Sequence, residues 1–247
     1  MSVTFLPVRG LPEIRPNDNL AHILAQALRD DCTSGDVLVV TQKVVSKAEG
    51  RLVPLDTVEP SPFAVTFAQA WGRDPRHIEV VLRESRRVLR MGPGGLIISE
   101  THHGLVCAHA GVDLSNVDGG GSACLLPVDP DASAERLHVA LSNTLGFPLP
   151  VIISDSFGRA WRNGIVNVAI GVAGMLATTD HRGKKDTAGY ELHATLLATA
   201  DAIAAGTDLV TGKTDAVPAV LVRGVAWQSG DGHGQDLVME STRNLFP

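Results

Sequence analysis

Strand-like apolar runs and helical segments follow one another irregularly along this chain, and their order restricts the folds it can adopt. A doubly wound parallel sheet would require a regular succession of strand and helix, which is not found. The order instead predicts the α+β class, or an irregular mixed α/β fold, with mixed sheets and flanking helices. The predicted strands are residues 4–8, 36–41, 96–99, 105–110, 149–156, 166–174 and 219–223. The predicted helices are residues 20–29, 63–71, 132–145 and 191–205, and residues 77–90 are charged and amphipathic.

The composition is that of a globular chain with an acidic balance of charge. Hydrophobic residues make up 44% of the 247 residues and charged residues 19%, which is enough for a real core and excludes a disordered chain. No repeat or low-complexity linker divides the chain, so we expect a single domain over residues 1–247. The 21 basic and 27 acidic side chains give a net charge of −6. This balance argues against a nucleic acid or an anionic membrane as the main partner.

Neither the cysteines nor the apolar runs indicate an exported or membrane-spanning protein. Cys32, Cys107 and Cys124 are odd in number and far apart, so no disulfide framework or thiolate zinc site is predicted. The N-terminus lacks the pattern of a signal peptide. No apolar run approaches the roughly 18 residues that a membrane span requires. We therefore expect a cytoplasmic protein with reduced, mostly buried thiols.

The stretch GTDLVTGKTD, residues 206–215, contains the Gly-Lys-Thr that closes a P-loop. A P-loop reads G-x-x-x-x-G-K-[ST], whereas five residues separate Gly206 from Gly212 here. The flanking segments predict a helix before the glycines and a strand after them, which is the reverse of the P-loop order. Two interpretations remain: a plain helix-to-strand turn, and a phosphate-binding loop of another design, because glycine turns expose backbone N–H groups.

The segment ISDSFGRAWRNG, residues 153–164, is the strongest local signal for chemistry. It brings Asp155 and Ser156 to the end of a buried strand, where ligands commonly bind. A carboxylate beside a hydroxyl supplies the hard oxygen ligands that Mg²⁺ and Mn²⁺ prefer. Arg159 and Arg162 follow, and their guanidinium groups suit a phosphate or carboxylate. The alternative is that Asp155 caps a turn and both arginines are solvated.

A second acid follows another apolar run, in AGVDLSNV, where Asp113 precedes Asn116 by three residues. Mg²⁺ is usually held by one or two carboxylates together with substrate phosphates. Asp113 and Asp155 would therefore suffice for one shared cation site. Two unrelated turn aspartates are the alternative that the sequence leaves open.

Two pairs of lysines are candidates for binding anions. Lys184 and Lys185 lie in DHRGKKDTAGYE, whose glycines allow close approach of a ligand. Lys43 and Lys47 follow the strand DVLVVT, and a lysine there can neutralise a phosphate as a point charge. Solvated surface lysines are the alternative for both pairs.

Seven motifs occur in the order found in one family of enzymes. They are RGLPEIRPNDNL, TQKVVSKAEGR, GVDLSNVDGG, ISDSFGRAWRNG, VAIGVAGM, DHRGKKDTAGYEL and LVTGKTDAVPAVLVRG, and they span about residues 6–223. Together they resemble the coenzyme F420-0:L-glutamate ligases, also called F420:γ-glutamyl ligases. The resemblance implies an unusual mixed α/β fold and an intertwined homodimer. Two-domain relatives carry a C-terminal flavin-binding domain, and this chain is expected to resemble the stand-alone ligase without it.

The resemblance also implies a reaction and its cofactors. Family members join L-glutamate to the lactyl carboxylate of F420-0 with GTP as co-substrate, and they add a further glutamate through a γ-linkage. They use Mg²⁺ or Mn²⁺, and K⁺ assists. The expected partners are therefore two small molecules, F420-0 and L-glutamate, and the expected process is coenzyme F420 biosynthesis.

Site residues carry over from the family's motifs position by position. Asp113 and Asp155 are the implied catalytic acids, and with Ser156 they are the implied metal ligands. Many relatives have Thr where this chain has Ser156, which keeps the hydroxyl. The implied nucleotide contacts are Leu11, Pro12, Glu13, Ile14, Ser46, Lys47, Asn116, Thr211, Gly212, Lys213, Thr214, Asp215, Ala216, Val217 and Pro218. Our candidates for binding the phosphodiester of F420-0 or the carboxylates of glutamate are Arg159, Arg162, Lys184 and Lys185.

Two other functions fit the same residues. A metal-dependent phosphotransferase or phosphatase with a different acceptor would use the same acids and basic loops. A non-catalytic nucleotide-binding or sensor subunit is the other alternative, although a binding module has no need of two metal-positioning acids. GTP hydrolysis that requires both F420-0 and glutamate distinguishes the ligase from both.

Overall fold

The computed structural model describes residues 2–115, 117–212 and 215–243, and these parts form six α-helices and twelve β-strands. No helix among them is long and apolar enough to cross a membrane. The helices are α1 (Leu20–Leu28), α2 (Gln42–Ala48), α3 (Pro62–Trp71), α4 (Pro75–Arg83), α5 (Pro130–Leu145) and α6 (Thr199–Thr211). The strands are β1 (Thr4–Val8), β2 (Val37–Thr41), β3 (Leu52–Pro54), β4 (Ser85–Gly92), β5 (Leu96–Thr101), β6 (Val106–Ala108), β7 (Ser122–Cys124), β8 (Val151–Arg159), β9 (Arg162–Ala173), β10 (Thr179–Asp180), β11 (Leu196–Leu197) and β12 (Ala219–Arg223).

A five-stranded mixed sheet lies at the centre, in the order β1-β12-β2-β8-β9. Strands β2 and β8 run parallel, with Leu38 opposite Val151, and the other neighbours are antiparallel. Residues 37–40 of β2 are all buried, as expected for a strand that is covered on both faces. The predicted fold class, with mixed sheets and flanking helices, is confirmed.

Helices cover both faces of the central sheet, because successive side chains of a strand point to opposite sides. On one face Leu38 packs in a cluster that includes Leu141 of α5 and residues of α1. On the other face Val37 packs in a second cluster with Ile203 of α6. The central strands are thereby shielded from water, and the loops at their ends remain free to form a site.

A third hydrophobic cluster lies around α3 and α4, next to the smaller sheets. Ile78 and Val81 of α4 belong to it together with Ile97 of β5 and Leu125. Strands β4, β5 and β6 form an antiparallel sheet, and β3 pairs with β7. This cluster includes Val112 and so anchors the segment that carries the acid of the GVD motif. A single domain over residues 1–247 stays a prediction.

The amphipathic segment 77–90 divides between a helix and a strand. Helix α4 ends at Arg83, and the residues from Ser85 onwards form β4, paired with β5. Arg86 and Arg87 both donate to Glu100 on β5. Arg86 and Arg87 are thus paired across two strands with a residue that lies outside the segment 77–90.

The predicted helix 191–205 and the turn predicted at Gly206 have the wrong boundaries. Helix α6 begins at Thr199 and continues through Gly206 to Thr211. Residues 196 and 197 form β11, which pairs with β10. Gly206 is required inside the helix, because a Cβ there would lie 2.3 Å from Cζ of Phe5. Close packing of β1 against α6 therefore explains a glycine that the sequence pattern assigned to a turn.

The three cysteines are reduced thiols with little or no exposure, as predicted. Cys107 and Cys124 are buried, Cys32 is partly buried, and none of them forms a disulfide. Burial raises the pKa of the Cys107 thiol to about 12. Burial likewise raises the pKa of Cys32 and that of Cys124 to about 11. These thiols are protonated and unreactive at neutral pH.

Candidate active site

An open cavity of about 770 Å³ lies at the edge of the central sheet where β2 ends. Loops diverge at the carboxyl edge of parallel strands, and ligands bind preferentially there. The cavity brings the predicted acids Asp113 and Asp155 together, although they come from distant parts of the chain. Its walls include residues 11–14, residues 41–44 and Lys47, residues 108, 109, 111–113 and 115, residues 154–156 of β8, Ile165 and Asn167 of β9, and residues 211, 212 and 216–218.

Asp113 is held through its backbone and its side chain. Its N–H and C=O exchange hydrogen bonds with Cys124, at 3.0 and 2.8 Å. Its carboxylate accepts the N–H of Ser115 at 2.7 Å and lies 2.6 Å from Nζ of Lys43. Burial raises the pKa of Asp113, but the hydrogen bonds from Lys43 and from the Ser115 backbone outweigh it, and the pKa lies below its usual range. Asp113 is therefore ionised at neutral pH, with Lys43 as its compensating cation.

Asp155 and Ser156 lie on β8, which pairs with β9 beyond the end of β2. Ser156 Oγ donates to Oδ1 of Asn167 on β9 at 2.7 Å. The negative charge of the Asp155 carboxylate also raises the pKa of the Cys107 thiol, as the second cause after burial. Asp155 thus lies near β6, the strand that leads to Asp113.

The donor groups of the cavity fit a hard divalent cation. Asp113, Asp155 and Ser156 supply two carboxylates and a hydroxyl on one cavity. Ser154 also lines it, is 2% exposed, and has an Oγ without a hydrogen-bond partner among the described residues. A buried hydroxyl without a partner is costly unless water or a ligand completes it. No three His, Cys, Asp or Glu side chains in the described parts are grouped to hold a metal, so a Mg²⁺ held here would need water or a bound anion to complete its ligand shell.

Residues 11–14 of the GLPEI segment form another wall of the cavity. Lys47 reaches the same wall, and its Nζ donates to Oε1 of Glu13 at 2.5 Å. Lys47 is 8% exposed, and a buried ammonium requires such a partner. Ser46, by contrast, is fully buried, donates to Oε1 of Gln42 at 2.8 Å, and does not line the cavity.

The glycine turn contributes residues 211, 212 and 216–218 to the cavity. Gly212 has a φ of +55°, and a Cβ there would lie 2.3 Å from Oδ2 of Asp215, so only glycine fits. Asp215 does not line the cavity. The turn follows α6 and precedes β12, which confirms the order of helix, turn and strand and excludes a P-loop. Three predicted nucleotide contacts, Asn116, Lys213 and Thr214, lie outside the described residues.

The basic residues predicted to bind substrate do not line this cavity. Arg159 and Arg162 pair at the closed end of the β8–β9 hairpin, and Arg159 donates to the carbonyl of Asn163 at 2.5 Å. Lys184 and Lys185 are exposed on the segment between β10 and β11. Their role in substrate binding stays a prediction.

His109 lines the cavity without having been indicated by any motif. Its φ is +52° and that of Ala110 is +54°, a conformation that residues other than glycine rarely adopt. The His109 ring lies 5.6 Å from the ring of His77. Burial lowers the pKa of His109, with a smaller contribution from Arg73, and burial lowers the pKa of His77 to about 4. Both rings are neutral at neutral pH, so they add no charge to this wall.

Asn167 and Ser154 are also cavity residues that sequence patterns missed. Both are polar side chains within apolar strands, in VNVAIGVAG and LPVIISDS. A polar residue at a buried strand position needs a specific partner or ligand. A polar residue within an otherwise apolar strand was therefore the sequence signal that could have identified Asn167 and Ser154.

The chain matches named proteins over most of its length. A sequence model described as F420-0:Gamma-glutamyl ligase matches residues 10–224. The coenzyme F420:L-glutamate ligase of Methanothermobacter thermautotrophicus is 43% identical over 231 residues, which cover 92% of this chain and 91% of that protein. The ligase of the same name from Methanopyrus kandleri is 42% identical, with 97% and 96% covered. That from Archaeoglobus fulgidus is 41% identical, with 100% and 97% covered.

Proposed function

Because this chain belongs to the F420-0:gamma-glutamyl ligase family, we propose that it is a GTP-dependent ligase that joins L-glutamate to coenzyme F420-0. Its relatives carry the name coenzyme F420:L-glutamate ligase, which supports a ligase of coenzyme F420 biosynthesis. A further glutamate is then added through a γ-linkage. GTP as the energy source and the steps below belong to the proposal.

The reaction activates a carboxylate, which is by itself a poor electrophile. The γ-phosphoryl group of GTP passes to the carboxylate of F420-0 and gives an acyl phosphate and GDP. The amine of glutamate attacks the acyl carbon, the bond from that carbon to the phosphate oxygen breaks, and the amide, phosphate and a proton are released. When held by Asp113, Asp155 and Ser156, a Mg²⁺ or Mn²⁺, assisted by K⁺, would offset negative charge on the phosphate oxygens.

Some of the cavity residues bind the cation in this proposal, and others bind the nucleotide. Asp113, Asp155 and Ser156 would hold the divalent cation. Lys47, between residues 11–14 and the cavity, neutralises a phosphate as a point charge. Residues 212, 216 and 217 of the glycine turn line the cavity and would offer backbone N–H groups to the nucleotide.

One observation carries this proposal: Asp113 and Asp155 line the same cavity as residues 11–14 and residues 211, 212 and 216–218 of the glycine turn. Four segments that the family's motifs associate with metal and nucleotide therefore meet in one place. The volume of about 770 Å³ lies within the usual range of small-molecule sites, about 300–1,000 Å³.

We also propose that the protein acts as a homodimer in the cytoplasm. Trp161 at the tip of the β8–β9 hairpin is 78% exposed, and Tyr190 on the segment between β10 and β11 is 64% exposed. Large exposed apolar side chains on projecting segments suit an interface between copies of the chain. Dimerisation would bring Arg159, Arg162 and the lysines of this segment to acidic substrate groups near the partner's cavity. Light scattering tests the dimer through the mass in solution.

Incubation of the full chain with F420-0, L-glutamate, GTP and MnCl₂, followed by mass spectrometry, tests the reaction. We expect products heavier by one and by two glutamyl residues, no GDP when F420-0 is omitted, and no multiple-turnover release of GDP when L-glutamate is omitted. Asp155→Asn should lower turnover by about 10²–10⁴-fold, as for other preorganised charge stabilisers. Asp231→Asn is the matched control, because that side chain is 98% exposed, and it should retain wild-type turnover.

Other outcomes identify the alternatives. GDP release that depends on neither F420-0 nor glutamate indicates a phosphatase, and dependence on a different acceptor indicates a phosphotransferase. GTP binding without turnover under all conditions indicates a nucleotide sensor. Each of these results would replace the ligase proposal.

A further inference from the structure

Asn167 is a polar residue of the apolar strand β9, and it stands directly opposite Ser156 of β8. It is 5% exposed and lines the cavity. Its amide oxygen, amide nitrogen and backbone N–H all make hydrogen bonds. Burying an amide in a strand of the core is favourable only with such partners. The position of the amide therefore calls for an explanation beyond packing.

The hydrogen bonds around Asn167 have only one consistent direction. Thr207 Oγ1 donates its single proton to the carbonyl of Ala204, at 2.6 Å. It must therefore accept from Asn167, whose Nδ2 lies 3.2 Å away. This fixes the orientation of the amide, with Oδ1 towards Ser156 at 2.7 Å. An amide oxygen only accepts, so the Ser156 hydroxyl is the donor in this contact.

The direction of that proton determines what Ser156 can do. A neutral hydroxyl binds a cation through its lone pairs, so its proton must point elsewhere. At Ser156 the proton points to Asn167, and the lone pairs lie on the other sides of the oxygen. Without Asn167, the hydroxyl could rotate and turn its proton towards a cation.

We propose that Asn167 is a positioning residue that fixes the Ser156 hydroxyl as an oxygen ligand of a divalent cation. This inference rests on the proposed function, in which Ser156 is a cation ligand. It assigns to Asn167 no contact with the reacting atoms. Partners that orient a metal ligand typically contribute about 10–100-fold to metal affinity.

The backbone around Asn167 is held from the same side as its amide. Helix α6 covers the free edge of β9, where the N–H of Asn167 donates to Oδ2 of Asp208 at 2.7 Å. Two residues along, the N–H of Ala169 donates to Oδ1 of Asp201 at 2.8 Å. Thr207, which orients the amide, lies on the same helix. Helix α6 therefore fixes both the position and the orientation of Asn167.

Binding of Mn²⁺ to the full chain in the presence of saturating GDP, measured by electron paramagnetic resonance of free Mn²⁺, tests the proposal. Asn167→Leu keeps the shape of the side chain and removes the acceptor, so the affinity for Mn²⁺ should fall about 10–100-fold. Asn167→Asp keeps an acceptor towards Ser156, and its affinity should lie closer to that of the wild type than to that of Asn167→Leu. Unchanged affinity in Asn167→Leu overturns the proposal.

The double variant separates positioning from a merely structural role. Ser156→Ala alone should weaken Mn²⁺ binding, and adding Asn167→Leu should weaken it no further, because Asn167 acts through Ser156. If the two losses multiply instead, Asn167 acts by another route and the proposal is wrong. If Ser156→Ala binds Mn²⁺ as the wild type does, the cation role of Ser156 in the proposed function is wrong, and this inference is overturned with it.

A variant at Thr207 covers the case in which Asn167→Leu does not fold. Thr207→Val keeps the side-chain shape and removes the oxygen that orients the amide, without altering Asn167 or Ser156. The amide can then turn its nitrogen towards Ser156, so Mn²⁺ binding should weaken. An affinity equal to that of the wild type in a folded Thr207→Val protein contradicts the proposal.

Discussion

Nζ of Lys43 lies 2.6 Å from Oδ2 of Asp113, so the acid that we assign to a cation has a cationic partner within the protein. Lys43 also donates to the carbonyl oxygen and the hydroxyl of Ser115, at 2.8 and 2.9 Å. Ser115 in turn donates its N–H and its hydroxyl to Asp113. The three residues form a closed set, and a divalent cation must compete with Lys43 for Asp113 or share it.

Lys43→Met should therefore strengthen the binding of the cation and weaken the binding of the nucleotide. Without the competing ammonium, Mn²⁺ alone should bind more tightly by about fivefold, since a partly exposed ion pair contributes about 1 kcal/mol. The KM for GTP should rise, because a positive charge beside the phosphates is lost. Arg86→Met is the matched control, as it removes one positive charge from a pair outside the cavity. Weaker Mn²⁺ binding in Lys43→Met would show that Lys43 does not compete with the cation.

The pair of Asp36 and Arg223 should make stability depend on pH. Asp36 has a side chain 1% exposed and lies 2.7 Å from Arg223. Burial raises the pKa of Asp36, but the hydrogen bonds from Arg223 and from the Thr33 backbone outweigh it, and the pKa lies below its usual range. A carboxyl group whose pKa is lowered by folding stabilises the folded state fully at pH values above its pKa in the unfolded chain. This contribution is lost as the pH falls through the pKa of the group in the folded protein.

Arg223→Met tests this pair by leaving the buried Asp36 carboxylate without its cation. The free energy of unfolding at about pH 7 should fall by about 2–3 kcal/mol, less than the roughly 3–5 kcal/mol typical of a fully buried pair, because Arg223 is 40% exposed. Protonation of Asp36 removes the uncompensated charge, so the difference from the wild type should shrink as the pH falls towards about 4. Urea unfolding of both proteins at several pH values measures this difference in the free energy of unfolding. A difference that does not change with pH would contradict the assignment.

Gly206→Ala should destabilise the protein, although alanine is the better helix former by about 1 kcal/mol. A Cβ at Gly206 would lie 2.3 Å from the Phe5 ring, and overpacking of this kind costs about 1–3 kcal/mol. The same change made in a Phe5→Ala background should be neutral or stabilising, because the obstacle is gone. Thermal unfolding of the wild type, Gly206→Ala, Phe5→Ala and the double variant measures the effect of Gly206→Ala with and without the Phe5 ring. Equal effects in both backgrounds would show that Phe5 is not the cause.

The three thiols should resist alkylation in the folded protein. Cys107 and Cys124 are buried, and Cys32 is partly buried with a pKa raised by burial to about 11. Only the thiolate reacts with iodoacetamide, so little modification is expected at about pH 8 before unfolding and full modification after it. Mass spectrometry counts the labels. Rapid labelling of Cys107 in the native state would mean that β6 is more open than the structure shows.

The central strands, and an acid on the polar part of one of them, were predictable because these signals are local, whereas the roles of Asp113 and Asp155 stay predictions. Apolar runs at residues 36–41 and 149–156 correspond to β2 and β8. Asp155 was indicated by its place in the polar end of such a run. The boundaries of α6 were not predictable, because Gly206 is explained by Phe5, which is distant in sequence.

The pairings within the cavity were not predictable for the same physical reason. Lys47 bonds to Glu13 and Lys43 to Asp113 only after folding brings separate segments together. The sequence indicated these lysines as anion-binding candidates, but it contained no information on their partners. The substrate roles of Arg159 and Arg162 remain predictions, since both residues lie at the hairpin tip.

The most direct measurement is anomalous diffraction at the manganese edge from crystals of the protein grown with MnCl₂ and GDP. We expect manganese density in the cavity within about 2.1 Å of carboxylate oxygens from both Asp113 and Asp155, and in contact with the phosphates of GDP. Manganese bound at only one of these carboxylates, or GDP bound outside this cavity, would contradict the shared cation on which the proposed reaction depends.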